Sequence, residues 1–326
     1  MSSRIIKVAV TQAEPVWYDL PATVKKTLHL IAEAASNGAR LIAFPECWLP
    51  GHPLWIWSNP GDPDLGVNYI KNSPAVDSPE IAAVQACALD NKIAVSLGFS
   101  ENENNSLYIA QLFIGEDGEI KVHRRKMKPS HMERTVFGDS LAHCLDSVGQ
   151  LSFARVGGLN CWEHTQPLLK YNSMAQKEEI HVGAWAVNPP HTGGRDLWST
   201  CLEGCHALSS VYAIESGTFV LHCTALISDA AVEKTGTASS LLQFNSGAGA
   251  SAVFGPDGRR LTELTDPKEE TILYADLDMD RILEARMFAD PTGHYSRPDL
   301  LWLGVDKTFK SVVREGSGAP EVGVIG

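Results

Sequence analysis

Apolar and polar positions along this chain alternate between short continuous runs and longer helical stripes. Ile5 to Thr11 is β-branched and apolar and predicts a buried first strand. Asp19 and Pro21 are helix-start residues; Val24, Leu28, Ile31 and Ala35 follow at helical spacing, and Gly38 is placed to end the helix. Leu41 to Phe44 is a second continuous run, as expected of a strand covered on both faces, and it stops at Pro45-Glu46. Strand, helix and strand thus bring Glu46 to a strand's carboxyl end, the edge at which open α/β sheets usually bind ligands.

Cys47 to Pro63 reads as a loop rich in Pro, Gly and Trp and too apolar for an idle surface connection. A helix is predicted over Glu80 to Leu89 and a strand from Ile93 to Phe99. Leu107 to Ile114 and Glu119 to His123 flank Glu116-Asp117-Gly118, a hairpin signal. One strand is expected from Leu151 to Asn160, delivering Cys161 at its end. A helix over Gln166 to Lys177, a strand at His181 to Val187, a helix from Leu197 to Glu215 and a strand at Phe219 to Thr224 follow. Ala250 to Phe254 and Arg260 to Leu264 flank the turn Gly255-Pro256-Asp257-Gly258, then Ile272 to Leu277 reads as strand and Asp280 to Phe288 as helix. Hairpins interrupt the strand–helix alternation, so a mixed α/β fold is expected over a purely parallel sheet. No repeat or composition break divides the chain: one domain over 1–326, its core at about 4–299, with 300–326 a loop-like tail whose Gly-rich end is expected to be disordered.

Charge and cysteine content narrow the partners. Lys and Arg number 27 against 39 Asp and Glu, a formal net charge of −12, which argues against nucleic acid or an anionic membrane. The N-terminus carries no apolar stretch long enough for a signal peptide, and no run approaches the ~20 residues that cross a bilayer. The seven cysteines are odd in number and show no secreted-scaffold spacing, so free thiols and a cytoplasmic protein are expected.

Three segments place reactive side chains at element ends: Phe44-Pro45-Glu46, Arg124 to Pro129, and Gly157 to His164. A thiol attacks as thiolate, a carboxylate can take its proton, and an ammonium can steady the charge passed on. Glu, Lys and Cys form a chemically complete set, although no spacing shows that they meet. Cys201, Cys205 and His206 fall on one predicted helix without a second ligand pair, which favours packing over zinc. Ser246 to Ser251 lacks the lysine of a phosphate loop and reads as a turn.

These segments resemble the motifs of the nitrilase (carbon–nitrogen hydrolase) superfamily. The likeness runs in order through Val8 to Gln12, Phe44 to Pro53, Lys126 to Ser130, Glu133 to Gly138, Gly157 to His164, Glu179 to His181, Phe254 to Gly258 and Asp290 to Asp299. Cys161-Trp162-Glu163-His164 followed by Gln166-Pro167-Leu168 is similar to microbial nitrilases and the cyanide hydratases close to them.

The resemblance implies Cys161 as nucleophile, Glu46 as general base, Lys126 (favoured over Lys128) as the cation at the developing charge, and Glu133 as a second glutamate beside the cysteine. It implies the Trp162 backbone N–H as an oxyanion donor and places His52, Phe137 and Trp185 about the substrate. The implied activity is hydrolysis of a small-molecule nitrile to acid and ammonia through a Cys161 thioimidate and thioester, with no metal or organic cofactor. An amide-forming hydratase, an amidase or N-carbamoyl hydrolase, a non-catalytic assembly protein and a Cys–His thiol protease are the alternatives. The fold implied is a four-layer α-β-β-α sandwich with two mixed sheets, assembled as a homodimer or larger homo-oligomer.

Overall fold

The computed structural model describes residues 4–238, 246–308 and 313. It opens as the pattern predicts, with β1 (Ile5–Ala13) followed by α1 (Leu20–Ser36). Asp19 caps α1 by accepting the Ala22 N–H, Pro21 sits in the first turn, and Val24, Ile31 and Ala34 face the core. The chain continues through β2 (Leu41–Ala43), α2 (Pro63–Asn72), α3 (Pro79–Asn91), β3 (Ala94–Glu103), β4 (Ser106–Ile114) and β5 (Ile120–Arg125). Next come β6 (Val148–Gln150), β7 (Arg155–Asn160), α4 (Pro167–Ala175), β8 (Ile180–Ala184), α5 (Leu202–Ser216) and β9 (Phe219–Ala225). The described elements end with α6 (Asp229–Thr235), β10 (Ala252–Phe254), β11 (Thr271–Asp278) and α7 (Asp280–Phe288).

The expected strand from Leu151 to Asn160 is broken. Leu151 N–H bonds to Ala154 O at 2.9 Å, and only Arg155 onward is strand, with β6 antiparallel to it. Leu151, Phe153 and Ala154 are apolar because they pack into the core from a turn, which periodicity alone cannot distinguish from a strand. Arg260 to Leu264 contributes only a bridge from Arg260 to Phe254. The helix expected from Leu197 begins at Leu202, after a 3₁₀ turn at Trp198–Thr200. Residues 300–308 form neither helix nor strand, and the Gly-rich end of the tail lies outside the described residues.

Strands join in one mixed path, β5-β4-β3-β2-β1-β9-β8-β7-β6, with β10 on β9 and β11 on β1. The link between β1 and β9 is narrow, two residue pairs at Gln12–Thr224 and Ala13–Ala225. Val8, Val10, Leu41 and Phe113 from one half share a core with Val156, Val182 and Leu221 from the other. Opposite faces of the halves carry helices: Ile42, Val95 and Leu97 meet α1 and α3, while Leu159 and Val220 meet α4 and α5. The result is an α/β fold on a large mixed sheet. No helix among the described residues is long and apolar enough to cross a membrane.

Candidate active site

Glu46 is delivered by the turn after β2. Its backbone N–H donates to Trp185 O at 3.0 Å, and its carboxylate is buried. This turn can approach β3 only because residue 98 is glycine: a Cβ there would stand 2.0 Å from Pro45 O. Lys126 follows β5, and its Nζ donates to Glu46 Oε1 and to Glu133 Oε2, each at 2.8 Å. Glu133 lies in the 3₁₀ turn His131–Thr135, where Oε2 also accepts the Ser130 N–H at 2.6 Å, closing the turn on itself. Lys128, the alternative lysine, is exposed and paired with Asp139 at 2.6 Å.

Cys161 follows β7 with a left-handed backbone, φ 50°, and begins the 3₁₀ turn Cys161–Thr165. A side-chain residue there is uncommon, and strained conformations of this kind cluster at reactive sites. The Cys161 sulfur and one carboxylate oxygen each of Glu46 and Glu133 lie within 4.8 Å of one another. Such a group could hold a cation, and the Lys126 ammonium already bonds to both carboxylates. The three side chains singled out from separate segments therefore converge, with Glu133 as a fourth.

Burial governs the electrostatics. Desolvation pushes Glu46 up to about 7, with Lys126 pulling it down and Glu133 adding to the rise. Glu133 goes the other way, to about 2, because Lys126 and His52 more than offset its own desolvation. Burial lowers Lys126, but Glu133, Glu46 and Cys161 overcome it and hold the ammonium well above its ordinary value. Burial, then Glu46, push the Cys161 thiol well above the usual range, with Lys126 opposing. These directions favour a neutral Cys161 thiol beside Glu46, with the Lys126 ammonium held between the Glu46 and Glu133 carboxylates. Glu46 Oε2 makes no hydrogen bond among the described residues, which leaves that oxygen open to a proton.

The remaining residues singled out from the sequence divide. His52 is buried, with Nε2 3.3 Å from Glu133 Oε1 and 3.7 Å from Glu46 Oε2, so it borders the cluster. Trp162 is half-buried beside Cys161. Phe137 is buried four residues beyond Glu133 and lines a cavity of about 500 Å³ with Trp55, Tyr69, Tyr108 and Arg134; Cys161, Glu46 and Lys126 are not in that lining. The Trp185 ring is fully enclosed, stacked between His164 and His222 at centroid distances of 5.0 and 5.2 Å, so its carbonyl is what reaches Glu46.

Sequence reasoning passed over several supports. Glu163 Oε2 accepts the Asn160 N–H at 2.8 Å, and its Oε1 bonds to Arg124 Nη2 and Met127 N–H, each at 2.8 Å. The Asn160-x-x-Glu163 spacing is a capping signature that could have marked it. His164 Nδ1 bonds to Cys161 O at 2.7 Å and its Nε2 faces His181 at 3.0 Å, so the imidazole supports the backbone and does not reach for the thiol. That arrangement gives a Cys–His protease no base in His164. Cys201, Cys205 and His206 bond to separate backbone carbonyls, those of Leu197, Ser199 and Ala250, as packing residues do. All seven cysteines are free thiols.

Comparison with known proteins agrees with this geometry. The family model described as carbon–nitrogen hydrolase matches residues 7–287. The chain is similar to an arylacetonitrilase of Hypocrea virens, 62% identical over 314 residues that cover 96% of this chain and 95% of that one. An arylacetonitrilase of Aspergillus kawachii is 56% identical over 317 residues, 97% and 96% of the two chains. Among solved structures, a carbon–nitrogen hydrolase from Helicobacter pylori superposes with a TM-score of 0.72 at 20% identity, covering 91% of this chain and 97% of that one. An amidase from Nesterenkonia superposes at 0.62 and 18% identity, covering 88% and 95%; at these identities the likeness is one of fold. A family match across most of the chain, high identity along its length and a Glu–Lys–Cys cluster all agree: this chain belongs to the carbon–nitrogen hydrolase family, in its nitrilase branch.

Proposed function

We propose that the chain hydrolyses an arylacetonitrile, an uncharged nitrile one methylene removed from an aromatic ring, to the carboxylic acid and ammonia. The observation that carries this is the Lys126 ammonium bonded to Glu46 and Glu133, with the Cys161 sulfur within 4.8 Å of a carboxylate oxygen on each. The substrate class follows the names of the two fungal relatives. Because a free Cys161 thiolate is disfavoured by burial, the thiol proton passes to Glu46 as sulfur adds to the nitrile carbon. Lys126 and the Trp162 backbone N–H serve the charge that develops on the substrate, and Glu133 holds Lys126 in place. The thioimidate takes up water and loses ammonia, leaving a thioester. A second water, activated by Glu46, then releases the acid. His52 and Phe137 border the substrate on this reading, and Trp185 acts from behind through Glu46.

The same reading makes residues 1–326 one domain with a four-layer α-β-β-α sandwich of two mixed sheets, in the reducing cytoplasm. The shared core between the sheet halves and the helices on their outer faces support the sandwich. Val211 and Ile214 on α5 and Leu283, Met287 and Phe288 on α7 are exposed apolar residues suited to a homodimer or larger homo-oligomer. A monomer by light scattering at micromolar concentration would remove the assembly. For the activity, a nitrile panel scored together for ammonia, acid and amide is the test. Turnover of arylacetonitriles to acid with equimolar ammonia is expected; amide as the main product, or activity on amides alone, would overturn it.

A further inference from the structure

β5 ends at Arg125 and β7 at Asn160, and these strands lie toward opposite ends of the hydrogen-bonded path, with no backbone ladder between them. Lys126 and Cys161 are the next residues along. The sheet alone therefore does not fix the distance between ammonium and sulfur. Among the described residues, the hydrogen bonds joining segment 120–130 to segment 155–165 both end on Glu163 Oε1, from Met127 N–H and Arg124 Nη2 at 2.8 Å each. The other oxygen of the same carboxylate takes the Asn160 N–H at 2.8 Å. One carboxylate thus grips the backbone immediately after Lys126 and immediately before Cys161.

The Arg124 and Glu163 side chains have 0% exposure, and Arg124 Nε and Nη1 make no hydrogen bond among the described residues. A buried pair satisfied this incompletely often adds no net stability over apolar side chains of similar volume. Its value lies elsewhere. We propose that Glu163, backed by Arg124, is a positioning residue that sets the separation of Lys126 Nζ and Cys161 Sγ, an inference resting on the roles given to those two residues above. Without it the loop carrying the cation and the turn carrying Cys161 and the Trp162 N–H lose the hydrogen bonds that join them, while His52, outside both segments, stays in place.

The test uses purified full-length chain and steady-state nitrile hydrolysis. Misplacement on the order of 1 Å costs about 10²-fold in rate, so Glu163→Ala should lose roughly that in kcat with KM little changed. Glu163→Gln, which keeps an acceptor for one backbone N–H, should retain more activity than Glu163→Ala. Removing one member of a buried pair can unfold a protein, so Arg124→Met/Glu163→Leu serves as the second variant, exchanging both charges for apolar groups. It leaves the Met127 and Asn160 N–H groups without their acceptor, so it should melt below wild type, yet stay folded at the assay temperature and still lose kcat. A double variant that is folded at the assay temperature and turns over at wild-type kcat overturns the proposal, as does a loss confined to KM. Cys161→Ala run alongside separates the two levels. Activity there removes the nucleophile, whereas an inactive Cys161→Ala beside fully active Glu163 variants removes only the positioning role.

Discussion

Glu46, Lys126 and Glu133 come from the β1–β5 half of the sheet and bond directly to one another, whereas Cys161 comes from the β6–β10 half, and no hydrogen bond to its sulfur joins it to them among the described residues. The first group is buried, and each charge in it satisfies another. The cysteine is half-buried, left-handed in its backbone, and held by neighbours of its main chain: His164 on its carbonyl and Glu163 on the preceding N–H. One side of the site is thus an electrostatic fixture complete without substrate, and the other a reactive group kept adjacent but unbonded. A permanent hydrogen bond on the sulfur would compete with the carbon it must attack. A loose ammonium would have to be reoriented during the reaction, which a preorganised site avoids.

Removing the reactive side entirely has the largest effect. Cys161→Ala should abolish turnover and leave no covalent adduct by intact mass, with the Lys126 pair undisturbed and the melting temperature close to wild type. Undiminished nitrile hydrolysis would dissolve the comparison at once. Breaking the fixture comes next. Lys126→Ala forces two buried carboxylates together without their cation, so kcat should fall by at least the ~2.7–4 kcal/mol of a deleted oxyanion donor, and the protein should lose about 3–5 kcal/mol of stability. A variant that melts lower yet keeps its kcat would make Lys126 a structural ion only.

The two sides were also unequally legible in the sequence. Glu46 could be placed because Leu41 to Phe44 is a continuous apolar run ending at a proline, and Cys161 because the chain before it reads as strand. Their convergence could not be read, since β2 and β7 meet the same site from different parts of the path through long-range pairing. The break at Leu151 to Ala154 was invisible for a related reason: core-facing turn residues are as apolar as strand residues. Trp185 shows the limit most sharply. An aromatic near a site suggests a pocket wall, yet its ring is spent on stacking between His164 and His222 and its backbone does the positioning. Choosing Lys126 over Lys128 needed the family pattern; in space the two differ in setting, one lysine buried between carboxylates and the other exposed.

A smaller effect reads the coupling between the two sides. On the proposed mechanism Glu46 must be ionised to take the Cys161 proton, and burial has brought it up to about 7. The rate as kcat/KM should therefore fall as pH drops through about 7, since protonation removes the base. Glu133, held near 2, stays ionised over that range. Glu46→Gln should remove this acid limb and cost about 10²–10⁴-fold in rate. An unchanged profile in that variant would give the limb to another group.

The smallest effect belongs to Lys128, and it is informative because its chemistry matches that of Lys126. It lies two residues from Lys126 on the same segment, with the same charge, but is exposed and paired with Asp139 at the surface. Surface pairs of this kind contribute about 0–1 kcal/mol, and solvent screens their field at the cluster. Lys128→Ala should leave kcat and KM within about twofold of wild type and shift the melting temperature little. Were it to lose activity on the scale expected of Lys126→Ala, charge on this segment would matter more than the bonded geometry, and the division between a locked fixture and a free nucleophile would have to be redrawn.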